Sequence, residues 1–181
     1  MMTRIGYVLG ILVGILLVGG FAASSREMEV PPERGGPSTQ PASGIEKLVL
    51  TDAQWRERLT AEQYRILREH GTERAGSSPL NNEKRDGTYH CAGCDLPLFV
   101  SNHKFDSGTG WPSFWQPVEP GHVLGKEDRS YGMVRTEVIC ARCDGHLGHV
   151  FADGPKPTGL RYCINGEAMK FVPAELPGAG E

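Results

Sequence analysis

The chain has 181 residues, 39% of them hydrophobic, and a formal net charge of −3. That length and apolar content suffice for one ordinary domain with appendages and exclude an intrinsically disordered protein. The charge becomes −4 when a leader whose only charge is Arg4 is set aside, and it argues against the basic balance usual in nucleic-acid binders.

An uncharged apolar run extends from Ile5 to Ala22, followed by the small residues Ala23, Ser24 and Ser25. Its length is near the lower limit for spanning a bilayer at about 1.5 Å per residue. It reads as a targeting or anchoring segment, so residues 1–23 are expected to be a signal peptide or membrane anchor and the protein to be exported or membrane-anchored. A buried core helix is the weaker reading, because the run is terminal, glycine-rich and followed by a linker. Residues 24–44 shift to Ser, Pro and Gly, with Pro31-Pro32 and Gly35-Gly36-Pro37, which predicts a tether too poor in apolar residues to pack. The domain is expected over 45–173 and a disordered tail over 174–181.

Helical pattern begins at Thr51, a candidate N-cap, with Trp55 and Leu59 on one face. A second helix starts at Thr60, with Gln63 completing a capping box, and Gly71 ends it. Trp55 and Tyr64 read as core residues, since aromatics at helical spacing usually pack. After Gly87 the texture changes to short β-like runs between turns: Thr88–His90, Leu96–Val100, Tyr131–Ile139, His149–Ala152, Leu160–Ile164 and Met169–Val172. Dense glycine and proline between such runs predict an antiparallel, mainly β domain.

Four of the five cysteines form two Cys-x-x-Cys pairs, Cys91/Cys94 and Cys140/Cys143. Two such turns supply the tetrahedral sphere of a structural zinc site. Iron offers the same ligand set, and two disulfides are the alternative that an exported protein admits. Cys163 is left over. It is either a buried inert thiol or a nucleophile, and Arg161, two residues away on the same face of a strand, favours the thiolate. His146 and His149 are further metal or acid–base candidates, and with four thiolates already present a histidine is free to act as an acid. Trp111, extended by the following Pro112 and beside a glycine-rich turn, is a candidate pocket wall or an ordinary core residue.

The runs Lys104–Phe114, Arg135–Val138, Cys143–Phe151 and Gly159–Asn165 closely resemble the B-type peptide-methionine sulfoxide reductases, in order and spacing over Thr51 to Val172. The resemblance implies two twisted antiparallel sheets with short N-terminal helices and one structural zinc on Cys91, Cys94, Cys140 and Cys143. It implies that Cys163 is the nucleophile, His149 the proton donor, and His146, Asp153, Arg161 and Asn165 its neighbours, with Trp111 packing on the substrate methyl. The implied activity is reduction of methionine R-sulfoxide in proteins or peptides through a cysteine sulfenic acid, serving repair after oxidative stress. Regeneration would come from a thioredoxin-type or other thiol reductant. A monomer is expected, with no nucleic acid and membrane contact only through the N-terminal segment.

The chain departs from the family at Thr109, where many members carry a second, resolving cysteine, and at Gly166-Glu167, where an effect on the pocket rim is expected. The alternative function is a non-catalytic binding module, since the same zinc-bearing fold resembles Rab-binding chaperones. Such a module would not need Cys163 with His149 and Trp111. A nucleic-acid zinc ribbon is a third reading, disfavoured by the acidic balance.

Overall fold

The structure, a computed structural model, describes residues 36–175. The expected leader, most of the linker and the end of the tail lie outside them. Two short helices come first, α1 (Asp52–Arg58) and α2 (Ala61–Glu69). Each opens on a complete capping box: Thr51 with Gln54, and Thr60 with Gln63, so the threonine hydroxyl and glutamine amide each satisfy a backbone N–H. The residue that ends α2 is His70, in the left-handed conformation at φ 54, one position before the expected Gly71. Trp55 and Tyr64 are buried, as core residues should be.

Among the described residues nine strands follow in two antiparallel sheets, so the mainly β architecture holds. The smaller sheet has the order β2 (Pro97–Val100), β1 (Gly87–Cys91), β9 (Met169–Pro173). The larger has the order β3 (Lys104–Phe105), β4 (Ser113–Phe114), β8 (Arg161–Ile164), β7 (His146–Phe151), β6 (Arg135–Cys140), β5 (Val123–Asp128). Strands β3, β4 and β5 were not expected from sequence: two span only two residues, and β5 ends in the charged run Lys126-Glu127-Asp128. The predicted strand from Tyr131 begins instead at Arg135, after a 3₁₀ turn over Ser130–Gly132.

An aromatic cluster joins the sheets. Phe99 stacks on Phe114 at 4.4 Å between ring centroids, Tyr89 meets Phe114 edge-on at 4.9 Å, and Tyr162 lies 5.7 Å from Phe99. All four are fully buried, and burial of each ring contributes several times the stabilisation of an aliphatic methylene.

Two terminal segments reach further into the fold than composition suggests. Ser38 bridges Leu124 on the edge strand β5, Ala42 donates its N–H to the Gly121 carbonyl, and Pro37 packs over Gly125. Backbone pairing along an open sheet edge needs no apolar side chains. At the other end Pro173 belongs to β9, and the Ala174 N–H donates to the Asp86 carbonyl.

Candidate active site and metal centre

The two Cys-x-x-Cys turns are built alike. Cys91 and Cys140 end β1 and β6, and the Asp95 and Asp144 N–H groups donate back to the Cys91 and Cys140 carbonyls. Asp95 and Asp144 are both left-handed, at φ 66 and φ 55, which turns each loop so that both of its thiols point one way. The Cys91 and Cys143 sulfurs are 3.7 Å apart, Cys94 and Cys140 3.4 Å, and all four lie within 4.8 Å of one another. Four donors about 2.3 Å from a central ion in a tetrahedron stand about 3.8 Å from each other, so the cage fits a zinc-sized ion. A disulfide would need about 2.05 Å, and all five cysteines are free, so the two-disulfide alternative fails. The helices cover the cage: Trp55 and Leu67 pack over Gly93, Leu67 also over Gly145, and Arg68 donates to the Cys143 carbonyl at 2.8 Å.

The second constellation lies on the larger sheet. Cys163 on β8 is paired with His149 on β7 and with Ser113 on β4. A pocket of about 160 Å³ opens there, lined by Thr72, Trp111, Arg135, Gly148, His149, Phe151, Cys163 and Asn165. The structure therefore brings Cys163, His149, Trp111 and Asn165 together. Trp111 is oriented by its indole N–H, which donates to the Glu73 carbonyl at 3.2 Å, and by the turn through Gly110 at φ 88. Asn165 is buried and both ends of its amide are engaged, Oδ1 accepting from the Glu73 N–H and Nδ2 donating to the Leu147 carbonyl.

Arg161, Asp153 and His146 stand around the pocket and do not line it. Arg161 forms a two-pronged ion pair with Asp153 at 2.8 and 2.9 Å, and its guanidinium also acts on the Cys163 sulfur. Burial is the largest influence on Cys163 and pushes its thiol pKa up; Thr109, whose hydroxyl lies 3.9 Å from the sulfur, and Arg161 oppose it without prevailing. Arg161 thus favours the thiolate, as its place in the strand predicts, but desolvation of the anion outweighs this one partly shared cation.

His149 is half-buried, and burial lowers its pKa, with Asp128 acting in the other direction. Its Nε2 bonds Asp128 Oδ2 at 2.8 Å, which leaves Nδ1 as the uncommitted nitrogen. Asp128 is held well below the usual carboxylate range by the Ser130 hydroxyl and N–H, and then by His149. The same Asp128 oxygen takes Arg135 Nη2 at 2.6 Å, while the buried Nε of Arg135 has no partner among the described residues. His146 is buried behind His149 with ring centroids 5.5 Å apart, and its Nδ1 bonds Glu137.

Sequence reasoning missed Asp128, Arg135, Glu137 and Glu73. Arg135 and Glu137 stand in a motif that carries the resemblance, but their roles come from cross-strand pairing: Asp128 faces Arg135 across β5–β6, and Glu137 faces His149 across β6–β7. Glu73 is a buried carboxylate whose oxygens accept the Gly166 and Glu167 N–H groups at 2.8 and 2.9 Å. The departure at Gly166-Glu167 accordingly sits under Asn165, where a Cβ on Gly166 would come within 2.0 Å of the Ser78 hydroxyl, and not among the pocket-lining residues.

A cluster of four buried cysteines able to hold a metal ion, together with a lone cysteine in a separate aromatic-walled pocket, on a fold of two antiparallel sheets, defines a protein built for thiol chemistry. Residues 59–173 match the SelR domain. The chain is 61% identical over 127 residues to the peptide methionine sulfoxide reductase MsrB of Agrobacterium fabrum, covering 70% of this chain and 94% of that one. It is 56% identical over 131 residues to the MsrB of Pseudomonas putida strain W619 (72% and 98%), and 57% over 125 residues to that of Thiobacillus denitrificans (69% and 95%). The chain belongs to the SelR-domain family of MsrB-type peptide methionine sulfoxide reductases.

Proposed function

We propose that this protein reduces the R epimer of methionine sulfoxide in oxidised proteins or peptides. The observation that carries the reading is Cys163 paired across one strand ladder with His149 in a pocket that Trp111 and Phe151 wall. An apolar wall suits the sulfoxide methyl, and Arg135, also lining the pocket, sets a cation beside it.

The Cys163 sulfur attacks the sulfoxide sulfur while the sulfoxide oxygen is protonated. Because burial keeps the resting thiol protonated and His149 neutral, His149 acts as a shuttle: it takes the thiol proton at Nδ1 and delivers it toward the oxygen. The Asp128 carboxylate stabilises the imidazolium that forms in between. The oxygen then passes from the substrate sulfur to the Cys163 sulfur as the bond between the two sulfurs breaks, so that methionine leaves and Cys163 becomes a sulfenic acid. An external thiol then displaces that oxygen as water, giving a mixed disulfide, and a second thiol frees Cys163. Thioredoxin-type or low-molecular-weight thiols fit this step.

Zinc is the ion we assign to the four thiolates, where it would hold the two sheets together at the ends of β1 and β6 and take no part in the reaction. The apolar leader supports an exported or membrane-anchored enzyme, with the folded domain acting as a monomer. Turnover of R- and S-sulfoxide peptides with dithiothreitol tests the activity, and equal rates on both epimers would overturn it. Elemental analysis should return one zinc per chain.

A further inference from the structure

Outside the thiolate cage, three donor side chains converge where α2 ends. Glu137 on β6 is buried, and its Oε1 holds two imidazoles, His146 Nδ1 at 2.6 Å and His70 Nδ1 at 2.7 Å. The donor atoms of all three residues lie within 4.8 Å of one another. The His146 side chain is 3% exposed, whereas that of His70, on the left-handed cap of α2, is 59% exposed. Two histidines and one carboxylate are the ligand set of open zinc sites, which keep a fourth position for water. Here the solvent side of His70 supplies both the entry path and that fourth position.

The cluster is coherent without an ion, because a carboxylate can accept both Nδ1–H groups. A divalent ion needs the Nδ1 lone pairs instead, and a neutral imidazole provides one by carrying its proton on Nε2. Metal–ligand lengths of about 2.0–2.1 Å set tetrahedral donors about 3.3 Å apart, so the carboxylate oxygen has to withdraw by less than an ångström. Because the three ligands come from separate elements, and one of them caps a helix end at the surface, the exposed arm can adjust while the two buried ones stay fixed.

We propose that His70, Glu137 and His146 form a second, exchangeable site for a divalent ion of the zinc class, separate from the four-thiolate cage, and that its occupancy slows the Cys163 pocket. The link to turnover follows from the ring contact of His146 with His149 at 5.5 Å. An ion on Nδ1 fixes the His146 tautomer and puts positive charge beside the histidine that must carry a proton. This link rests on the reductase reading; binding of the ion does not.

The test uses the full chain with its thiolate cage already loaded with zinc, titrated with Co²⁺ and followed by equilibrium dialysis and visible absorption. A second equivalent is expected, showing the weak ligand-field bands of nitrogen and oxygen ligation without the thiolate-to-cobalt charge transfer that replacement in the cage would give. In His70→Ala its affinity should fall roughly tenfold or more while the cage keeps its zinc, and the fold is retained with a lower melting temperature because the α2 cap and one bond to Glu137 are lost. No second equivalent, or equal binding by His70→Ala, overturns the site. Added Zn²⁺ should slow sulfoxide turnover in the wild-type chain and spare His70→Ala; equal inhibition of both overturns the link to the pocket.

Discussion

His149 and Cys163 are register partners on β7 and β8, so two residues that the chain separates by a long loop stand about 5 Å apart at their Cα atoms. The pairing depends on Gly148, where a Cβ would lie 2.1 Å from the Cys163 carbonyl oxygen. Gly148→Ala should therefore push the two strands apart. We expect a loss of about 1–3 kcal/mol in denaturant unfolding and a larger proportional loss of turnover, and an alanine variant with wild-type activity would refute the pairing as the basis of the site.

Cys163→Ser should abolish sulfoxide reduction while leaving metal content and melting temperature near wild type. The serine hydroxyl is nearly isosteric with the thiol but is a far weaker nucleophile, and Cys163 is not a cage ligand. Residual turnover near the wild-type rate would rule out the sulfenic acid route.

The pH profile follows from the two half-buried groups. Burial raises the Cys163 pKa, so the thiolate fraction, and with it the rate of alkylation by iodoacetamide, should keep rising on the alkaline side of the free-cysteine value of about 8.5. Arg161→Met removes the cation that opposes this, and its alkylation midpoint should move further up; an unchanged midpoint would show that Arg161 does not tune the thiol. His149 has the opposite sign: its folded pKa is lowered, so as pH falls below the unfolded value of about 6.5 the unfolded chain takes up a proton that folded His149 resists. Stability from this residue is present above that value and declines below it. Asp128, lowered far more, adds an acid loss below about pH 4.

Glu73 links α2 to the floor of the pocket through four of its own atoms. Its two oxygens hold Gly166 and Glu167, its N–H meets Asn165, and its carbonyl orients Trp111. Glu73→Gln keeps the shape but turns one oxygen into an NH₂ that faces a backbone N–H. We expect a loss of about 1–3 kcal/mol in stability and a rise in KM greater than the fall in kcat, since the proposed reaction uses Trp111 and Asn165 to position substrate; steady-state kinetics with a peptide sulfoxide reads the split.

Thr109 occupies the place from which a resolving cysteine would act, its hydroxyl 3.9 Å from the Cys163 sulfur. After one turnover without reductant, mass spectrometry of the wild-type protein should show one added oxygen on Cys163. Thr109→Cys should instead close a disulfide between the introduced thiol and Cys163, and recycle faster with thioredoxin. A wild-type protein that forms a disulfide from Cys163 to a cage cysteine, releasing metal, would assign the resolving role to the cage.

Local rules carried much of this protein into view from the sequence. Capping boxes at Thr51 and Thr60 act over three residues, and paired Cys-x-x-Cys turns carry their ligand geometry within a few bonds, so the helix starts and the metal cage were legible without a fold. Cys163, His149 and Trp111, which line one pocket, stood out in the sequence because each lies in a long contiguous motif. What tertiary structure alone decided is the company these residues keep. Asp128 and Glu137 reach the histidines through hydrogen bonds between elements, Arg135 reaches Asp128 across β5–β6, and Glu73 acts on residues more than 90 positions away. The sign of the Cys163 shift also lay beyond sequence: a neighbouring arginine is visible in the chain, but the desolvation that outweighs it arises only when the larger sheet and the Trp111 turn enclose the sulfur.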